Sequence, residues 1–197
     1  MGRPRDTRVD QAILDATRML LARDGYAGLT MDAVSEEAGI GKAAIYRRYA
    51  TKQEMVFAAA VHDTDLPAPA DTGSLGGDLT ALTRDIVEQL TNPAAASAVL
   101  GLLADIGASA DLAARFHRAF VVREQAVIAA VLDRAVVRGE LPASPPVAPV
   151  HALLTGPVFA ALFLQREQPA GLAERLARVV ESALTSGALL STPPEPR

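Results

Sequence analysis

Residues 31–49 read MDAVSEEAGIGKAAIYRRY, and this stretch decides the fold of the first part of the chain. It contains two short helical patterns, at 31–38 and 42–49, and Gly39 supplies a sharp turn between them. Thr30 precedes the first pattern and can cap it through its side-chain oxygen. Two short helices joined by a glycine-containing turn have the dimensions of a helix-turn-helix unit.

The second of these helices has two faces of different chemistry. Ile45 and Tyr49 lie four residues apart and share a face that can be buried. Lys42 and Tyr46 share another face, and Arg47 lies beside them. Burial of the first face leaves small and basic side chains pointing outward, a combination that suits insertion into a major groove.

Small side chains and a nearby lysine strengthen this interpretation. Ala43 and Ala44 permit a close approach to base edges and to thymine methyl groups. Lys52 falls in the first turn of the next helix, where a phosphate would also meet backbone N–H groups. Thr51 and Glu54 form the capping-box pattern that starts this helix.

The charge distribution supports a nucleic-acid partner where the total charge does not. The chain has 197 residues and a net charge of −4, which by itself argues weakly against a polyanionic partner. Residues 40–53, however, contain four basic side chains and no acidic one, whereas residues 61–197 contain ten basic and fifteen acidic side chains. A solvated helix face is the alternative explanation of such a short basic run.

The whole chain shows helical periodicity, so the sequence predicts an all-α protein of about nine helices. We expect a helix-turn-helix DNA-binding domain at 1–64, a linker at 66–77 rich in Pro and Gly, and a larger helical domain at 65–197. The predicted helices cover about 8–24, 31–38, 42–49, 51–62, 78–91, 94–107 and 111–139, with an eighth that ends near 167 and a ninth that begins at 169. Asp78 and Asp111 are the predicted caps of the fifth and seventh helices.

Several classes of function are disfavoured by what the sequence lacks. The absence of cysteine removes disulfide scaffolds, thiol catalysis and cysteine-ligated metals. The three histidines are isolated, and neither an H-E-x-x-H pattern nor a G-x-S-x-G elbow occurs. We therefore expect no enzymatic activity, no metal and no cofactor. Because no apolar signal core follows the N-terminus, we expect a cytoplasmic location.

Residues 141–165 carry no formal charge, and this uncharged stretch is long enough to span a membrane. Five prolines interrupt this stretch, so we instead expect a helix that is buried on several sides, with Gly156-Pro157 kinking it. Packing within the chain can cover one side, and an isologous two-fold contact can cover the other. The predicted dimer interface comprises Val158, Phe159, Leu162, Leu176, Val179, Val180 and Leu184.

The stretch from Gly25 to Met55, GYAGLTMDAVSEEAGIGKAAIYRRYATKQEM, resembles the DNA-binding domain of TetR-family transcriptional regulators. The resemblance covers about residues 8–62, and the remaining two thirds of the chain match the family only in helix count. It implies a homodimeric, ligand-responsive regulator, most often a repressor released from a palindromic operator by a small molecule. A dimeric small-molecule-binding or adaptor protein without DNA-binding function is the alternative.

The resemblance also implies which residues face DNA. Tyr49 stands where phenylalanine is more usual, and it can serve either in the core or as a backbone contact. Arg47 and Arg48 stand where aromatic residues and histidine are frequent, so no base preference carries over, and Arg47 can read a base or contact a phosphate. The implied DNA-contact set is Thr30, Lys42, Ala43, Ala44, Tyr46, Arg47, Arg48, Tyr49 and Lys52.

A ligand cavity is expected among the fifth to eighth helices. His117 and Arg123 could anchor polar groups of the ligand. The scarcity of aromatic residues, 4% of the chain, disfavours a stacking cage and favours an apolar ligand of moderate size. Plain core packing is the alternative role for the apolar residues of the predicted lining, which are Leu102, Leu103, Phe116, Phe120 and Phe163.

The segment Gly2-Arg3-Pro4-Arg5 resembles an AT-hook, in which Arg side chains enter a narrow minor groove. We expect Arg3 and Arg5 to contact DNA beside the helix-turn-helix unit; a solvated basic tail is the alternative.

Deletion of residues 2–5 should therefore weaken operator binding. It should also reduce the slope of log affinity against log salt by about one for each phosphate that is no longer neutralised. Gel-shift titrations at several salt concentrations measure both quantities. An unchanged affinity and slope would show that the segment does not contact DNA.

Overall fold

The structure is a computed structural model that describes residues 7–60 and 70–189. Helices and the turns between them account for these two ranges, and no strand occurs within them. The all-α prediction is confirmed.

The first four helices are α1 (Thr7–Gly28), α2 (Met31–Ala38), α3 (Lys42–Tyr46) and α4 (Lys52–Ala60). Helix α1 is interrupted at Gly25, whose φ of 69° lies outside the helical region, at the break that the sequence predicts. Helix α3 ends three residues earlier than predicted. The N–H of Arg48 donates to the carbonyl of Ile45 (2.8 Å), which closes a tighter turn than an α-helix makes.

The later helices agree with the predicted order. They are α5 (Leu75–Thr91), α6 (Pro93–Ala108), α7, α8 and α9 (Leu172–Thr185). Helix α7 runs through three consecutive segments, Ala110–Phe116, the π-helical His117–Val121, and Val122–Val137. Helix α8 comprises Val147–Phe159 and a π-helical continuation, Ala160–Leu164, and it contains Pro157. The two described ranges thus hold nine continuous helical stretches.

Side-chain caps fix the ends of the short helices. The hydroxyl of Thr30 accepts a hydrogen bond from the N–H of Ala33 (3.1 Å), as predicted. The hydroxyl of Thr51 accepts one from the N–H of Glu54 (3.2 Å). The Glu54 carboxylate accepts in return from the N–H of Ala50 (2.9 Å), one residue before the position that a capping box uses.

Two predicted caps are wrong, because a serine precedes each of them. The Ser74 hydroxyl accepts from the N–H of Gly77 (3.1 Å), so α5 begins before Asp78. The Ser109 hydroxyl accepts from the N–H of Leu112 (3.3 Å) at the start of α7. Asp111 instead forms an exposed ion pair with a side chain one turn later on α7.

The described chain separates into two compact units. Unit 1 combines the described residues up to 60 with Asn92–His117, and unit 2 combines residues 70–91 with the described residues from Arg118 onward. Helices α1, α4 and α6 pack against one another in unit 1. The functional division at 64/65 is a different boundary and stays a prediction.

Each unit has its own apolar core. In unit 1 the large buried apolar side chains come from the first four helices and from the link between α1 and α2, and they are Ile13, Leu20, Leu21, Leu29, Val34, Ile45 and Met55. In unit 2, α5 and α9 pack against each other and against α8. The central buried side chains there are Leu75, Leu79, Val131, Leu132, Leu154, Val180 and Leu184.

A buried carboxylate ties the start of α5 to the end of α7 in unit 2. The side chain of Asp78 is fully buried, and it accepts hydrogen bonds from the N–H (2.9 Å) and hydroxyl (2.8 Å) of Thr72. Arg138 donates to it at 3.1 Å, and Arg134 lies 3.4 Å away. Burial acts to raise the pKa of Asp78, but the hydrogen bonds from Thr72 and Arg138 outweigh it, so the pKa is lowered.

Asp78→Asn should lower the free energy of unfolding by about 2 kcal/mol at pH 7, because buried donors lose a charged acceptor. The folded pKa of Asp78 lies below its unfolded value, so the carboxylate's contribution is complete above about pH 4 and is lost as the pH falls through the folded pKa. Urea titrations at pH 7 and at pH 3 should therefore show a smaller difference between variant and wild type at the lower pH. Asp111→Asn is the matched control, since its carboxylate is 72% exposed and its loss should change stability by less than about 0.5 kcal/mol. A difference that did not shrink in acid would contradict this account.

Candidate nucleic-acid interface

Helix α3 is held on unit 1 by its turn and by one apolar anchor. Gly39 has a φ of 64°, and the N–H of Ile40 donates to the carbonyl of Ser35 (3.2 Å). The Ser35 hydroxyl donates back to the carbonyl of Ile40 (2.7 Å). Ile45 is fully buried in the core of unit 1. These contacts fix which side of α3 faces the protein.

The opposite side of α3 is open to solvent. Lys42, Ala43, Tyr46 and Arg47 are exposed, and Tyr46 keeps 53% of its surface accessible although it is aromatic. The face that the sequence assigns to DNA is therefore the outward one. Tyr49 is half-buried and packs against the core of unit 1, which favours its structural role. Ala44 is half-buried, between the two faces.

Lys42 begins this outward face and pairs with a carboxylate of α2. Its ammonium lies 2.8 Å from Asp32, and this hydrogen bond raises the pKa of Lys42 above its usual range. Both side chains are more than half exposed, so the ion pair is weak and can exchange for another acceptor. Lys42 therefore stays fully charged and can turn to DNA at little cost.

The two adjacent arginines have different surroundings, which the sequence does not separate. Arg47 is exposed, whereas the side chain of Arg48 is only 15% exposed. Arg48 forms an ion pair with Asp10 of α1, and it donates to the carbonyl of Ala44 at 3.1 Å. The implied DNA contact of Arg48 stays a prediction, and its guanidinium faces the protein.

Lys52 also has partners within unit 1. Its ammonium donates to the backbone carbonyl of Tyr26 (2.5 Å) and lies 4.3 Å from the centre of the Tyr26 ring. Burial lowers the pKa of Lys52, and the nearby Asp105 opposes that shift. The phosphate contact of Lys52 stays a prediction; in this structure the lysine joins the start of α4 to the end of α1.

Sequence patterns give no sign of a polar cluster around Asp105 of α6. One oxygen of Asp105 accepts hydrogen bonds from the hydroxyl of Tyr26 (2.5 Å) and from the amide of Gln53 (2.7 Å). These two bonds lower the pKa of Asp105. The partners lie 79 and 52 residues away in sequence, so no local pattern connects them. The cluster links α6 to the helix that carries Lys52.

Gly101 of α6 makes room for this cluster. A Cβ at that position would lie 2.4 Å from the ring of Tyr26, so any larger residue would displace the ring. Packing against Tyr26 thus explains why glycine stands at position 101, and its place within a helix in the sequence does not indicate this.

The residues predicted to line a ligand cavity belong to both compact units. Leu102, Leu103, Phe116 and His117 are in unit 1, and Phe120, Arg123 and Phe163 are in unit 2.

The burial of these seven residues varies. Leu102 and Phe120 are buried, and the ring of Phe116 meets that of Phe57 edge-on, with centroids 4.4 Å apart. The side chains with large exposed surfaces are Leu103, His117 and Arg123. The cavity stays a prediction.

The predicted interface residues divide into buried and accessible ones. Val158, Val180 and Leu184 are at most 2% exposed within unit 2 and have no surface to offer a second copy. Val179 is 61% exposed. The half-buried residues of this set are Phe159, Leu162 and Leu176.

Helix α8 has no formally charged side chain and is mostly apolar, with His151 and Thr155 as its polar side chains. Within the described residues it is the one straight helix long and apolar enough to cross a membrane, at Val147–Leu164, and only 22% of this stretch is buried. Five residues of this stretch are exposed in the single chain, and nine more are half-buried.

The basic N-terminal segment and a metal site are the two remaining points of the sequence prediction. Arg3 and Arg5 lie outside the described residues. Among the residues described, no group of three or more His, Asp or Glu side chains is placed to hold a metal ion.

Two family models match this chain. The model described as "Bacterial regulatory proteins, tetR family" matches residues 13–59, and the one described as "Tetracyclin repressor-like, C-terminal domain" matches residues 69–183. Together they cover both the helix-turn-helix unit and most of the remaining helices.

Curated relatives include an HTH-type transcriptional regulator of Mycobacterium tuberculosis, 34% identical over 139 residues, which are 70% of this chain and 66% of the relative. The match thus spans slightly less than two thirds of that relative's length. The HTH-type transcriptional regulator YdeS of Bacillus subtilis is 27% identical over 170 residues, 85% of this chain and 84% of the relative. The DNA-binding transcriptional repressor TetR of Mycobacteroides abscessus is 40% identical over 72 residues, 36% of this chain and 38% of the relative.

Solved structures share the fold. The TetR-family transcription regulator SCO0332 superposes with a TM-score of 0.67 at 25% identity, covering 94% of this chain and 99% of that one. A TetR transcription regulator from Haloarcula marismortui superposes with a TM-score of 0.59 at 20% identity, covering 90% and 98%, and it supports the fold alone.

Proposed function

Because the chain belongs to the TetR family of bacterial regulatory proteins, we propose that it is a DNA-binding transcriptional regulator that acts as a repressor. Its proposed place of action is the cytoplasm, where the DNA is. Family membership rests on matches over residues 13–59 and 69–183.

The observation that carries the proposal is the outward face of α3. Lys42, Ala43, Tyr46 and Arg47 are exposed on a helix whose inner side is anchored by Ile45. Small residues let the helix approach base edges, a lysine and an arginine supply donors, and Tyr46 supplies a ring and a hydroxyl. Such a face suits the major groove better than a protein partner, since its charged side chains are basic.

A homodimer is the proposed assembly. Helix α8 has five exposed and nine half-buried residues in the single chain, none of them with a formal charge, and Val179 of α9 is exposed as well. Contiguous exposed apolar surfaces mark interaction sites, and a two-fold contact covers the same patch on both copies. A two-fold dimer would read a palindrome whose half-sites lie about 34 Å apart.

A small molecule is the proposed effector. It can change DNA binding only if its affinity differs between the DNA-competent and the released conformations. The low aromatic content favours an apolar molecule of moderate size, with His117 or Arg123 as polar anchors. An adaptor without DNA-binding function is the alternative, since Lys42, Arg48 and Lys52 all have intramolecular partners.

Tyr46→Ala should weaken binding to the specific site about ten-fold, because the exposed ring would lie against the groove. Arg47→Ala should weaken binding to all sequences and lower the salt slope by about one if Arg47 contacts a phosphate. Gel-shift titrations against the DNA that flanks the gene measure both effects. Arg118→Ala, which removes an exposed arginine of unit 2, is the matched control and should bind like wild type. Wild-type protein that binds no fragment specifically at low salt would favour the adaptor.

Val179→Glu should convert the dimer into monomers, because it places a charge in an apolar contact. We expect the dimer Kd to rise roughly 100-fold, the equivalent of about 2.7 kcal/mol. Phe159→Glu should have the same direction of effect. Light scattering across a concentration series measures the mass. Val137→Glu, at an 88% exposed valine near the end of α7, is the control. A Val179→Glu protein that stays dimeric would place the interface elsewhere.

A further inference from the structure

The side chain of Arg48 joins the DNA-facing helix to α1. Its Nε atom donates to the carboxylate of Asp10, in the first turn of α1, and its Nη1 atom donates to the carbonyl of Ala44 on α3. Both side chains of the ion pair are largely buried, Arg48 at 15% and Asp10 at 23% exposure. One guanidinium thus connects two elements that are 38 residues apart in sequence.

Helix α3 needs such external bonds because it has only five residues. Its N-cap, Gly41, supplies no side-chain hydrogen bond. The N–H of Arg48 donates to the carbonyl of Ile45, which leaves the carbonyl of Ala44 to the guanidinium. Arg48 therefore completes the carbonyl end of the helix and anchors that end to α1.

The remaining attachments of α3 are the turn bonds at its N-terminal end, the exposed ion pair of Lys42 with Asp32, and apolar contacts. They set which side of the helix faces the protein, but none of them is a side-chain hydrogen bond to its C-terminal end. Ile45 is buried in the core, and Tyr49 packs against the same core after the helix ends. Apolar contacts are non-directional, so a short helix can rock about them. Hydrogen bonds of a charged fork have a fixed direction. The bonds of Arg48 supply a directional constraint at the C-terminal end of the helix, next to the face that carries Lys42 and Tyr46.

We propose that Arg48 and Asp10 are positioning residues that set the rotation of α3, and with it sequence specificity, and that Arg48 is not itself a DNA ligand. The inference rests on the proposed DNA-binding function. Positioning and a direct phosphate contact by Arg48 predict opposite effects on specific DNA binding when the charge of Asp10 is removed. Loss of the negative charge of Asp10 favours DNA electrostatically, yet positioning requires that this loss weakens specific binding.

The test compares Asp10→Asn, Arg48→Gln, Arg48→Lys and the double variant Asp10→Asn/Arg48→Gln. Each is titrated against the specific fragment and against a scrambled duplex of equal length, at several salt concentrations. Asp15→Asn is the matched control, because it also removes a carboxylate from α1. The arginine partner of Asp15 is Arg18, which lies on α1 itself, so this ion pair does not link α1 to α3. Melting curves confirm that each variant is folded at the assay temperature.

Positioning predicts that Asp10→Asn and Arg48→Gln each weaken specific binding about ten-fold and leave the salt slope unchanged, while Asp10→Asn binds the scrambled duplex as tightly as wild type or slightly more tightly. The double variant should be no worse than Arg48→Gln, since both changes break the same link. Arg48→Lys should also lose specificity, because an ammonium lacks the fork that makes both bonds. Asp15→Asn should bind like wild type or slightly more tightly.

A second measurement needs no DNA. Amide hydrogen exchange at residues 42–46 should become faster in Asp10→Asn than in wild type or in Asp15→Asn. Unchanged exchange there would overturn the inference.

A phosphate contact gives the opposite pattern. Arg48→Gln would then lower the salt slope by about one on both duplexes, Arg48→Lys would bind nearly as wild type does, and Asp10→Asn would bind as tightly or more tightly. That outcome overturns the inference and leaves the regulator proposal intact. Wild-type protein that shows no specific binding overturns both.

Discussion

The helix that faces outward in the helix-turn-helix unit has only five residues, and a helix of that length is not stable in water by its own hydrogen bonds. Its conformation is imposed by what surrounds it. Ile45 enters the core of unit 1, the turn bonds at Ile40 and Ser35 fix the start of the helix, and Arg48 holds the carbonyl of Ala44 in its last turn. The packed helices α1, α4 and α6 form the core against which this short helix is held.

The same constraint explains how unit 1 distributes its charges. Of the basic side chains between residues 40 and 53, Lys42 has an exposed, exchangeable partner, whereas Arg48 and Lys52 are bonded inside the unit. A basic run in the sequence thus serves two purposes, since some cations hold the helices together and others face solvent. Fewer outward cations mean weaker attraction to any phosphate backbone, so under the proposed function a larger share of the binding energy comes from sequence-specific contacts.

Unit 2 contains a long helical stretch that has no formally charged side chain. A helix without charges, Val147–Leu164, cannot bury all its sides within a layer of three or four helices, so much of its surface stays accessible. The buried carboxylate of Asp78 brings together the loop before α5 and the end of α7, and it specifies that connection more sharply than apolar contacts do. Unit 2 thus combines a polar tie in its interior with an uncharged helix at its surface, and this helix belongs to the interface of the proposed homodimer.

Much of the fold follows from local patterns in the sequence. Gly25 and Gly39 mark chain breaks because their positive φ angles favour glycine, and the threonines at 30 and 51 cap helices through bonds that span three residues. The buried role of Ile45 follows from its spacing. The same local reasoning misplaced the caps of α5 and α7, because two possible caps lay within four residues and only the folded backbone selects between them.

The sequence by itself determined the all-α class, the order of the helices and the outward face of α3, because these depend on residues within a few positions of one another. Tertiary structure alone decided which cations face outward. Arg47 and Arg48 are identical and adjacent, yet only Arg48 meets Asp10, 38 residues before it. Tyr26, Gln53 and Asp105 likewise meet across as many as 79 residues. Such contacts are set by how whole helices pack, and no local pattern records them.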